Sequence, residues 1–162
     1  MGDDHNVLEK VIGRALVGKG SHVEAKSAFE GLDWKVAGSC PEGSSHSVYQ
    51  LVNHMIYWNQ WVVRWLDGEK PPIPKHAGLS WPGSAAPEGA KDWERVVRQF
   101  GKGLDEMNRR SRGEHLLSKQ GGKTRLEVLQ SVASHNSYHL GEVVLLRQIL
   151  HAWPPPSGGL TW

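Results

Sequence analysis

Apolar residues recur along this chain at the spacing of helices. Between residues 5 and 18, Val7, Leu8, Val11, Ile12, Ala15 and Leu16 fall three or four apart. At about 100° per residue, that spacing gathers them on one helical face. Asp3, Asp4 and Asn6 offer N-caps, and Gly18 and Gly20 close the pattern. A short second helical piece is expected over 23–31, ending at Gly31, followed by a loop marked by Gly38, Pro41, Gly43, Ser44 and Ser45.

A second long helix is predicted over 46–67. Ser47 and Gln50 stand at capping-box spacing, and Gly68 is the stop. Its apolar positions, from Val48 through Leu51, Met55 and Val62 to Leu66, are broad enough to bury much of it. Residues 69–86 read as a loop with Pro71, Pro72 and Pro74 near its start and Trp81 further on. Connections of this length are often functional or cover a site.

The third helix is predicted over 87–111, with Pro87 and Glu88 in its first turn and Trp93, Val96, Val97, Phe100, Leu104 and Met107 facing inward. Gly101 and Gly103 weaken it by about 1 kcal/mol each relative to alanine, which points to a bend or a close contact there. A connector over 112–123 leads to the fourth helix, 124–152, opened by a capping box of Thr124 with Glu127. Gly141 interrupts that helix, and close approach of another backbone would explain it. The prolines at 154–156 stop the helix, and Trp153 and Trp162 are candidates to dock the tail on the body. No strand-like alternation of any length appears. The expectation is an all-α four-helix bundle, a single domain over 1–162.

Composition narrows the picture. A chain of 162 residues suits one core. The formal net charge of +2 gives no argument for nucleic acid or an anionic membrane surface as a partner. Cys40 is the only cysteine, so no intrachain disulfide is possible and a reducing compartment is expected. No basic segment followed by an apolar run opens the chain, and no stretch approaches the roughly 20 apolar residues of a spanning helix. A cytoplasmic location follows by elimination. Tryptophan is abundant, with eight copies that fill a core or line a pocket.

The candidate chemistry lies in the fourth helix. His135 and His139 are one turn apart, about 40° around the axis, on the face that carries Val128, Val132, Val143, Leu146 and Leu150. Two imidazoles so placed can grip one metal ion. His54, in line with Leu51, Trp58, Trp61 and Trp65 on the second helix, is the candidate third ligand. Taken alone it reads first as a core histidine at the edge of an aromatic cluster. Three neutral imidazoles leave a coordination position open on zinc, nickel or a similar ion, as catalytic sites do. Glu142, one turn beyond His139, is a candidate partner of that histidine, a further oxygen ligand, a proton acceptor, or simply a solvent-facing carboxylate. Trp58, Trp61 and Trp81 are candidates for the walls of a substrate pocket, with Trp81 also readable as a plug that pins its loop. The His-Glu-x-x-His and Glu-x-x-His metal motifs, Cys-x-x-Cys, a phosphate loop and a serine-nucleophile motif are all missing.

The run His135-Asn136-Ser137-Tyr138-His139-Leu140-Gly141-Glu142, continuing to Gln148, resembles the last helix of the DinB-like (YfiT-like) superfamily. Asn53-His54-Met55-Ile56-Tyr57-Trp58-Asn59 resembles its second helix, and Trp153-Pro154-Pro155-Pro156-Ser157-Gly158-Gly159 a common ending. The likeness extends over nearly the whole chain. It implies an up-down-down-up bundle, often a homodimer, with a divalent metal held at His54, His135 and His139. The activities it implies are transfer or isomerisation with a low-molecular-weight thiol as co-substrate, such as mycothiol, bacillithiol or glutathione, or metal-dependent hydrolysis of a small molecule. Glu142 departs from the glutamine more usual at its position.

Overall fold

The computed structural model describes residues 2–113 and 115–159. Its long helices are α1 (Gly2–Val17), α3 (Val48–Leu66), α4 (Ala90–Arg110) and α5 (Arg125–Ile149), and α2 (Trp34–Ala37) is a single turn. Together they form the expected all-α bundle.

Contacts at the helix ends fix the directions. Tyr49 donates to Asp92 (3.0 Å) where α3 and α4 begin, and Arg110 pairs with Asp67 (2.7 Å) where they finish, so these two run parallel. At its first residue α5 reaches the far end of α3, with Arg125 Nη1 donating to the Leu66 carbonyl (2.7 Å), so α5 runs back along α3. Near the start of α1, His5 Nε2 donates to the Gly113 carbonyl (2.6 Å) just past the end of α4, so α1 opposes α4. The order is up-down-down-up.

Parallel α3 and α4 have a consequence for the loop between them. A helix of 19 residues is about 28 Å long, and the chain must travel that distance back before α4 can start. Residues 67–89 make this return along the bundle, with one 3₁₀ turn at Ala77–Ser80. They thereby pass the middle of α3, where His54 lies.

Both predicted capping boxes form. The Ser47 hydroxyl accepts from Gln50 N–H at the start of α3, and that of Thr124 from Glu127 N–H at the start of α5. The core collects Leu16 from α1, Leu51 and Met55 from α3, Phe100 and Leu104 from α4, and Leu129 and Val143 from α5. Gly103 lets α4 approach α3 closely, because a Cβ there would stand 3.3 Å from the Cβ of Asn59. Arg147 is wholly buried on α5. It donates to the carbonyls of Ala28, Glu30 (3.0 Å) and Ala152 (2.9 Å), and lies over the ring of Trp153 at 5.4 Å. One guanidinium thus ties the segment after α1 and the chain beyond α5 to the bundle. Trp153 docks as expected, whereas Trp162 lies outside the described residues.

Several boundaries differ from expectation. The first helix starts at Gly2, so Asp4 and Asn6 lie within it, and Val7 and Val11 face solvent. Residues 23–31 form only a 3₁₀ turn, Ser27–Phe29. Val23, Ala25, Ala28, Phe29 and Leu32 are all buried, and the helical spacing of Ala25, Ala28, Phe29 and Leu32 is met by this turn and its flanks without a longer helix. Asp33, accepting from Lys35 N–H, then caps the unforeseen α2. Pro87 and Glu88 precede α4, whose N-cap is Gly89. The connector holds a minimal hairpin, β1 (Lys119–Gln120) with β2 (Lys123–Thr124). Gly121 and Gly122 turn it with φ of 58° and 84°, the left-handed pair that a two-residue hairpin requires. A Cβ on Gly141 would meet nothing within 4 Å among the described residues, so none of their backbones accounts for that glycine. Among the described residues no helix is long and apolar enough to cross a membrane.

Candidate metal centre

Antiparallel packing of α3 against α5 brings the three predicted histidines together. One ligand nitrogen from each of His54, His135 and His139 lies within 4.8 Å of the others. His54 and His139 are buried and His135 nearly so. Among the described residues no other set of three or more His, Cys, Asp or Glu side chains is so placed.

The hydrogen bonds around the rings fix which nitrogens are available. His54 Nδ1 faces the Ser80 carbonyl at 3.2 Å. A carbonyl only accepts, so the proton of a neutral His54 sits on Nδ1 and its Nε2 carries a lone pair. His139 Nδ1 donates to Glu142 Oε2 at 2.6 Å, so Nε2 is the nitrogen this ring has left for a ligand. His54 Nε2 and His135 Nε2 stand 3.1 Å apart. Adjacent nitrogens on a tetrahedral zinc, at 2.0–2.1 Å from the ion, are roughly 3.3 Å from each other. His135 Nδ1 is buried without a hydrogen-bond partner among the described residues.

Burial favours the neutral form of two of the three rings. Burial, aided by the two neighbouring imidazoles, pushes His54 down to about 4. His135 is also pushed down, by burial first and by His139 second. Three converging imidazole nitrogens are the donor set of a divalent cation such as zinc or nickel. The residues present therefore fit a metal ion. A histidine–carboxylate link of the kind seen at His139 and Glu142 commonly orients a metal ligand and raises its basicity.

The tryptophans divide into two roles. Trp58 and Trp61 line a cavity of about 400 Å³ together with Trp65, Val128, Val132 and His135. Trp81 is not in that lining. It lies flat on His54, with ring centroids 3.9 Å apart and planes 7° from parallel, is stacked also with His46 at 3.7 Å and 10°, and meets His139 edge-on at 5.8 Å. The long loop thus lays an indole, itself backed by a further imidazole, across one face of a candidate ligand. A second cavity, about 370 Å³, is lined by Ser44, His46, Leu51, Glu142 and Leu145. Glu142, whose side chain is 40% exposed, stands between this space and His139.

A family model described as the DinB superfamily matches residues 24–143, the greater part of the sequence. The chain belongs to the DinB superfamily. No curated protein and no solved structure matches it. The matched span includes all three histidines of this DinB-superfamily chain and Glu142.

Four residues that shape the centre went unassigned in the sequence reading. Ser80 and His46 act through the loop, so no spacing along a helix could have disclosed them. Asn59 and Asn136 form a buried pair between α3 and α5, with Asn136 Nδ2 donating to Asn59 Oδ1 (2.9 Å). That bond holds the register that brings His54 to His135. Asn136 sits beside His135 in the most telling run of the sequence, and a polar residue on the inward side of a helix was the signal available.

Proposed function

We propose that this protein is a divalent-metal-dependent enzyme that activates a low-molecular-weight thiol, or else water, against a small electrophile. The observation that carries the reading is the convergence of one ring nitrogen from each of His54, His135 and His139 within 4.8 Å, beside an apolar cavity. A zinc or nickel ion held by His54, His135 and His139 would supply a lowered pKa to a thiol or water bound to it. Trp58 and Trp61 exclude water around the reacting molecule. Trp81 and the Ser80 carbonyl hold the plane of His54. Glu142 orients His139 through one carboxylate oxygen and offers the other as acceptor for the proton released.

A homodimer belongs to the same proposal. Tyr138, Gly141, Leu145 and Ile149 make an exposed stripe along α5, and an unfilled glycine within it permits close approach of a second copy. A cytoplasmic setting, where small thiols stay reduced, also fits.

Cobalt substitution tests the enzymatic reading. The absorption spectrum of the cobalt protein is expected to change when mycothiol, bacillithiol or glutathione is added. A spectrum indifferent to every thiol, with no hydrolysis of model esters or amides, would leave a bundle that binds metal or ligand without catalysis.

A further inference from the structure

The side of α5 turned away from the histidine cluster carries a second pair of reactive side chains. Ser137 stands two residues from both His135 and His139, about 200° around the helix from each. Its hydroxyl is 2.9 Å from His22 Nε2, and the other ring nitrogen, Nδ1, is 2.8 Å from the Val23 carbonyl. A carbonyl only accepts, so the proton of the neutral ring sits on Nδ1. Nε2 then carries the lone pair, and the Ser137 hydroxyl donates to it. We infer that His22 and Ser137 are a base and its nucleophile, a second site that takes the acyl group of a small carboxylic ester. The two residues are 115 apart along the chain, so the fold and not a local motif makes the pair. The inference does not depend on the metal.

The turn after α1 is shaped around this ring. Gly18 has a φ of 76°, and a Cβ there would overlap His22 Cε1 and stand 2.6 Å from Nδ1, so the imidazole folds against bare backbone. The His22 N–H donates to the Gly18 carbonyl (3.2 Å), which closes the turn. Among the described residues the Ser137 hydroxyl has no other hydrogen-bond partner. Both side chains are partly exposed and line a cavity of about 310 Å³, together with Gly18, Ser21, Gln130 and Ser134. A tie that only held α1 to α5 would need no space beside it, whereas here the space borders the hydroxyl. Gln130 Nε2 gives one N–H to Ser134 Oγ (2.9 Å). Its second N–H and the Ser21 hydroxyl are the donors that the lining offers to an ester carbonyl.

The chemistry runs in two halves. Ser137 Oγ attacks the ester carbonyl as its proton passes to His22 Nε2. The Oγ–C bond forms, the C–O bond to the alcohol breaks, and His22 returns the proton to the departing alkoxide. Water then gives a proton to the same nitrogen and attacks the acyl-serine. The carboxylic acid leaves, and the serine oxygen takes the proton back. Throughout, the Val23 carbonyl holds Nδ1–H and so keeps the ring in the tautomer that both halves use.

Two reagents test the pair on the full chain. Diisopropyl fluorophosphate forms a P–O bond to an activated serine with loss of hydrogen fluoride, and p-nitrophenyl acetate acetylates it with a burst of p-nitrophenol. Peptide mapping is expected to place both adducts on Ser137. A covalent adduct also separates this activity from ester hydrolysis by a metal-bound water, which leaves the protein unmodified. His22→Gln tells a base from a tie, because the Gln amide oxygen still accepts from the hydroxyl but takes no proton. It should slow labelling of Ser137 about a hundredfold while the urea midpoint stays that of the parent. Labelling is followed in parallel on Leu145→Glu protein, so that a second copy seated on α5 does not conceal the cleft. No adduct at Ser137 with either reagent in either protein, or labelling of His22→Gln at the parent rate, would overturn the inference.

Discussion

His54 ties stability to pH through a simple asymmetry. In the unfolded chain its imidazole takes a proton near 6.5, whereas in the folded chain burial delays this to about 4. Between those values the unfolded state binds more protons, so the metal-free protein loses stability as pH falls from 6.5 toward 4 and keeps it above that range. The window corresponds to about 3 kcal/mol, at 1.36 kcal/mol per pH unit. Urea titrations of chelator-treated protein at pH 7 and pH 4.5 should show the loss, and His54→Gln should shrink it. A His54→Gln variant with the same pH dependence as the parent would mean that this imidazole is not the buried neutral group described. The histidines themselves were legible from the sequence because helical periodicity is a local property: residues 135 and 139 must share a face wherever the helix packs. Their surroundings were not, since Ser80 reaches His54 only through the path of the long loop, and Asn59 meets Asn136 only through the choice of neighbouring helices.

Among the elements, the two capping boxes look alike in sequence and differ in the structure. Thr124 caps α5 and is partly exposed, so Thr124→Ala should cost about 1 kcal/mol. Ser47 is fully buried, and its hydroxyl also donates to the Ala85 carbonyl at the end of the long loop. Ser47→Ala removes the cap and strands that carbonyl, so the cost should be about twice as large. Equal midpoints in denaturant for the two variants would contradict the tether. Helix identity was readable from periodicity and turn residues. The segment 23–31 was not, because Ala25, Ala28 and Phe29 keep helical spacing while only a 3₁₀ turn forms there. The hairpin at 119–124 was too short for any alternation to show, although Gly121-Gly122 marked its turn.

At the scale of the whole molecule, the up-down-down-up order explains why the site has a roof. Parallel α3 and α4 oblige residues 67–89 to run back along the bundle, and that path sets Trp81 on His54 and Ile73 in the cavity wall. The sequence alone marked the loop as long but not where it lay, since helix direction is not written in local spacing. The bundle also leaves Tyr138, Leu145 and Ile149 uncovered, at 69%, 55% and 50% exposure, on the helix that carries two of the histidines. Sedimentation velocity at micromolar concentration should show a dimer that Leu145→Glu converts to monomer. A monomer in the parent protein would refute that assembly and leave the metal centre untouched.

The central claim is that His54, His135 and His139 hold one divalent cation. Metal analysis of protein purified without a histidine tag, compared with the His135→Ala, His139→Ala double variant, tests it most directly. The expected result is close to one equivalent of zinc or nickel per chain in the parent and a loss of it in the variant. Equal metal content in the two proteins, or none in the parent even after incubation with either ion, would contradict it.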